Sequence, residues 1–94
     1  MTEKYFLEKI YAFTQSNAKE DVPHIQACIE GLISFFDTKL AQSNDPILID
    51  KLKNSIAIAR EFDEHLDRSS RQKDKMVTYY DILDCQYRHL TYGK

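Results

Sequence analysis

Turn-forming residues are scarce: the 94-residue chain holds only two glycines and two prolines. A domain of many strands needs a turn about every 8–12 residues, and residues able to make it. The scarcity argues against a β architecture and for few, long elements joined by few loops. Cysteine is equally sparse. Cys28 and Cys85 are too few for a disulfide framework, so a cytoplasmic protein with free thiols is expected. Long hydrophobic runs are missing too. Ile47-Leu48-Ile49 is among the longest, whereas a membrane span needs about 20 apolar residues. An acid stands at Glu3 with no long apolar stretch behind it, which does not read as a secretory signal. Nor does one sign of charge dominate. A formal net charge of −2 makes no field that would draw the chain to nucleic acid or to an anionic membrane. Neither is expected as a partner.

What is present is the composition of a globular protein, 43% hydrophobic and 30% charged. Its length suits one domain over residues 1–94. Four segments carry helical periodicity, over about 2–16, 23–42, 46–67 and 73–91. In the first, Phe6, Ile10 and Phe13 recur at i, i+4 and i+7 with Leu7 beside them, and Thr2 suits the N-cap. Residues 17–21 are polar and read as a loop. The second opens at Pro23, which the first turn of a helix accepts. It continues with Ile25, Cys28, Ile29, Leu32, Phe36 and Leu40 on one face, flanked by Ile33 and Phe35; Gly31 is a mild helix penalty. Asp45-Pro46 starts the third as a capping carboxylate followed by proline. Leu48, Leu52, Ala59, Phe62 and Leu66 stack along it, Ile49 and Ile56 widen the stripe, and Asp63 sits oddly within it. Residues 68–75 are wholly polar and read as a connection, with Ser69 and Gln72 spaced as a capping box. One unbroken helix from Pro46 to Tyr92 is the rival to that connection. Met76, Tyr80, Leu83, Tyr87 and Leu90 form the seam of the fourth helix, and Gly93 stands where a helix can close. Short connections between four helices predict an all-α, antiparallel up-down-up-down four-helix bundle.

Two coincidences bear on chemistry. His24 and Cys28 on the second helix, and Cys85 and His89 on the fourth, are both i,i+4 pairs. Together they make the Cys₂His₂ set that suits tetrahedral zinc. On the helical wheel, however, Cys28 faces the core while Cys85 and His89 point away from it. Arg60 and His65 fit the loose R-x4-H pattern, and in this resemble HEPN-type ribonucleases. Those nucleases bring an arginine–histidine pair together at a dimer interface to act on phosphate and transfer protons. No other feature of that family is shared, and four arginines with three histidines meet so loose a spacing readily. Glu61 and His65 are four apart and occur once, which does not make the paired Glu-x-x-His ligands of a di-metal bundle. No glycine-rich loop could cradle phosphate. Catalytic, cofactor-binding and metal-binding residues are therefore left unassigned, and a metal-binding helical protein or a HEPN-like ribonuclease is carried as the alternative.

The leading expectation is a non-enzymatic interaction module of inhibitor, immunity, chaperone or regulatory-subunit type, whose partner is a protein. A second copy of the chain is kept open as that partner. Tyrosine and arginine are enriched in interface hot spots, and the last two dozen residues hold Tyr79, Tyr80, Tyr87, Tyr92 and Arg88. Tyr80 and Tyr87 face the expected core. Ile82, Cys85 and Tyr92, with Ile58 and Tyr11 on earlier helices, fall off it by angle. The expected partner-binding residues are Tyr79, Ile82, Arg88, His89 and Tyr92. The basic run Arg68, Arg71, Lys73 and Lys75 reads as a solvated connection.

Overall fold

The structure, a computed structural model, describes residues 3–67 and 72–92. Four helices account for most of them: α1 (Glu3–Ser16), α2 (Val22–Gln42), α3 (Pro46–Leu66) and α4 (Lys73–Tyr92). No strand occurs among the described residues. The boundaries follow local chemistry. Asp45 caps α3 by accepting the Ile47 N–H on its carboxylate at 3.0 Å, and Pro46 opens the helix where a missing N–H costs nothing. Asn17 closes α1 with a positive φ of 48°, a conformation asparagine tolerates better than most residues. Its N–H bonds the Phe13 carbonyl at 2.7 Å. The loop expected over 17–21 needs amending. Lys19–Asp21 form a 3-10 turn, with the Asp21 N–H on the Ala18 carbonyl at 2.9 Å, which feeds directly into α2. The caps expected at Thr2 and Ser69, and the closing glycine at 93, lie outside the described residues.

The helices form a ring. Each packs on the next in sequence and α4 packs back on α1; the α2–α3 seam is the most extensive and the α1–α4 seam the sparsest. Neighbours run antiparallel. Gln26, near the start of α2, donates to the carboxylate of Asp67, just past the end of α3, at 2.8 Å. Tyr11 of α1 meets Tyr80 of α4 with ring centroids 5.2 Å apart, and Lys4, at the start of α1, shares a groove with Arg88 and Tyr92, at the end of α4. The rival of one rod from Pro46 to Tyr92 fails because α4 folds back on α3, stacking Tyr79 on Phe62 at 5.4 Å. The result is the up-down-up-down four-helix bundle. No helix among the described residues is long and apolar enough to cross a membrane.

Ile10, Ile29, Leu32, Phe36, Leu52, Phe62, Met76 and Leu83 fill the core. Three details depart from the helical-wheel expectation. Tyr79, rather than Tyr80, is the buried tyrosine of α4, because the α3 seam takes up that flank. Ser55 and His65 are also buried. Ser55 answers its own polarity by donating to the Lys51 carbonyl one turn back, at 2.9 Å. Ile58, off-core by angle, is half-buried and packed against the core. Gly31 has a local reason. The ring of Phe6 lies over its bare Cα, and a Cβ there would come within 2.6 Å of Cζ of Phe6. The bare Cα leaves room for this ring of α1 on α2, at a helix penalty of about 1 kcal/mol for glycine.

Candidate protein-interaction site

The five expected partner-binding residues do not share one surface. Tyr79 is only 8% exposed, between the rings of Phe62 and His65; its place in the core withdraws it from the surface set. His89 lines a groove of about 240 Å³ where the start of α3 meets the end of α4, beside Ile47, Leu48 and Leu90. Ile82 is half-buried and lies two turns back along the same flank of α4 as His89. Arg88 and Tyr92 lie on the opposite flank, with α1.

That α1–α4 flank holds the better-built site. A groove of about 250 Å³ runs between the two helices, with Lys4, Leu7 and Glu8 on one wall and Tyr80, Asp84, Tyr87, Arg88 and Tyr92 on the other. Its α4 wall arises from spacing alone. Tyr80, Asp84, Arg88 and Tyr92 recur every four residues and therefore form one ridge. Asp84 and Arg88 bond across a turn at 3.0 Å, although the arginine remains largely exposed. Burial, then the Asp84 carboxylate, pushes the Tyr80 phenol above its ordinary value; this hydroxyl stays protonated at neutral pH. Tyr11 extends the aromatic surface past the groove through its contact with Tyr80. Of the large apolar side chains exposed among the described residues, Tyr11 (49%) and Tyr92 (69%) stand on this flank, and Ile47 (68%) beside the other groove.

Protein-family models, curated proteins and solved structures yield no match to this chain. The geometry of its own residues carries the reading.

The residues set aside for chemistry are dispersed. Cys28 is buried and lies 3.9 Å from Nε2 of His24. Burial pushes its thiol up, against a weaker pull from Lys9, which is opposite to the activation a nucleophilic or ligating thiolate needs. Cys85 is exposed on α4. No group of three His, Cys, Asp or Glu side chains suited to a metal ion occurs among the described residues. Arg60 is exposed, whereas His65 is interior and accepts the Gln72 N–H on Nε2 at 3.1 Å. The pair does not face one surface, and the histidine nitrogen that would move a proton instead ties α3 to the start of α4. Asp63 sits half-buried at the edge of its stripe. Burial first, then Glu30 on α2 and its own neighbours Asp67 and Glu64, raise its pKa, with Arg60 opposing.

Tyr92, off the core by helical angle, is exposed as expected; Lys4, Glu8 and Asp84 were not singled out as partner-binding. The signal was available in the repeat Tyr80-Asp84-Arg88-Tyr92, which becomes visible once α1 is known to lie alongside α4.

Proposed function

We propose that this protein acts by binding a protein partner, without catalysing a reaction, through the face where α1 meets α4. The observation that carries the reading is the groove itself, in which exposed Tyr92, half-buried Tyr80 and Tyr87 and the Arg88–Asp84 pair of α4 stand opposite Lys4 and Glu8 of α1. Such side chains give large contact area at low entropic cost, with polar tips that fix orientation. A module of this kind suits an inhibitor, immunity factor, chaperone or regulatory subunit. It would work in the cytoplasm, where both thiols stay reduced.

The test compares capture of host proteins by the wild type with capture by Tyr92→Ala and Arg88→Ala variants. Ile47→Asp on the other groove serves as the control. Loss of one captured protein in the first two and retention in the third is the expected result. Equal capture by all four chains would remove the α1–α4 face from consideration.

A further inference from the structure

The α1–α4 face carries an internal symmetry. Along α4 the ridge reads aromatic, acid, base, aromatic, as Tyr80, Asp84, Arg88 and Tyr92 at equal spacing of four residues. Read backwards, the aromatic ends exchange and each charge meets its opposite. The α1 wall repeats the pattern. Tyr11 is level with Tyr80, and the helices are antiparallel with equal rise per residue. Seven residues back along α1 and seven forward along α4, Lys4 comes level with Tyr87 and Arg88. By the same count Glu8 comes level with Leu83, beside Asp84. The face is therefore banded: bases at one level, acids one turn away, and aromatic rings beyond each band on α4.

We propose that the partner of this face is a second copy of the same chain, docked about a two-fold axis perpendicular to the helices and passing between the two charge bands. This rests on the reading of the α1–α4 face as the interaction surface and names its occupant. An isologous contact needs a surface complementary to itself. A face of one sign would repel its own copy, whereas this face balances two bases against two acids. A two-fold axis parallel to the helices would set base against base. The perpendicular axis sets Arg88 against Asp84 of the second copy and Lys4 against its Glu8, twice over. It also lays Tyr92, exposed in the monomer, over the Tyr80–Tyr11 pair of the other copy. The extent is adequate as well. The molecule measures 40 × 22 × 19 Å, and a standard interface takes roughly 800 Å² from each partner.

The test is the molar mass of the purified full chain by light scattering and sedimentation across a wide concentration range. Circular dichroism verifies that every variant is folded. The wild type should be a dimer that dissociates on dilution. Tyr92→Ala should raise the dissociation constant roughly thirtyfold, as for removal of an interface hot spot. Arg88→Asp should raise it about tenfold or more by setting like charges together. The double exchange Asp84→Arg with Arg88→Asp restores both the bond within the helix and the pairing between copies, and should recover the dimer. Ile47→Asp should leave it unchanged. A wild type that stays monomeric at every concentration overturns the second copy as occupant, and capture of a host protein that is sensitive to Tyr92→Ala would leave the face itself standing. A dimer indifferent to Tyr92→Ala and Arg88→Asp overturns both. A dimer lost in the single exchange and not recovered in the double one overturns the antiparallel pairing.

Discussion

A carboxylate held partly out of water among other carboxylates opposes folding whenever it is ionised, and Asp63 is in that position. Burial, Glu30, Asp67 and Glu64 together raise its folded pKa above the unfolded value. The sign follows directly. Its favourable contribution is complete below the unfolded value and is lost as pH rises through the raised folded value, so at neutral pH the ionised form is a cost. Asp63→Asn should therefore stabilise the bundle at neutral pH. Relief of the i,i+4 repulsion with Asp67 suggests about 0.2–0.5 kcal/mol. Urea unfolding would measure it, and the gain should disappear in acid, where the wild-type carboxyl is already neutral. The two thiols differ as sharply. Cys85 is exposed, whereas Cys28 is buried with a raised pKa. One thiol per chain should react promptly with a maleimide, and Cys85→Ser should abolish that reaction. The second should appear only on unfolding; two prompt thiols would contradict the placement of Cys28.

Within the helices, periodicity revealed most of what exists, and local chemistry revealed most of where it stops. Asp45-Pro46 is legible in any reading because both residues act on their immediate neighbours. Asp45→Ala should cost about 1 kcal/mol, within the range of 0.5–2 kcal/mol for lost N-caps, read from the denaturant midpoint at an unchanged slope. Asn17 and the 3-10 turn were less legible, since polar stretches carry no period and the turn is held by backbone bonds alone. Tyr79 and Tyr80 show the same limit. They are adjacent on the helix, and only the neighbour packed on each side decides which ring is covered. His65 stands out in the sequence only because its spacing from Arg60 fits a loose pattern, and no role is assigned to it there. Its burial depends on where α4 begins, which no feature of α3 announces. Ser55 could have been found, as it stands three residues after Leu52 and four before Ala59 on the core stripe.

Across the molecule, architecture was readable and the interaction face only half so. Four amphipathic segments with short connections leave little choice but neighbouring antiparallel packing. The grouping of Lys4 and Glu8 with Asp84 and Arg88, in contrast, joins the two most distant helices in the chain and has no local signature. That closure has a kinetic meaning. Three of the four seams join consecutive helices through few residues, which favours rapid assembly, while α1 on α4 pays the full loop-closure entropy. It is also the sparsest seam, and α1, at 14 residues, is the shortest helix. Native-state amide exchange should therefore find slow protons at the centres of α2 and α3 and faster ones in α1 and α4; uniform protection would refute this. The bundle then has a firm α2–α3 pair, with α1 and α4 as outer staves that meet along the sparsest seam. Whatever presses on Tyr11 and Tyr92 from outside would latch that seam shut, so association and resistance to protease would rise together.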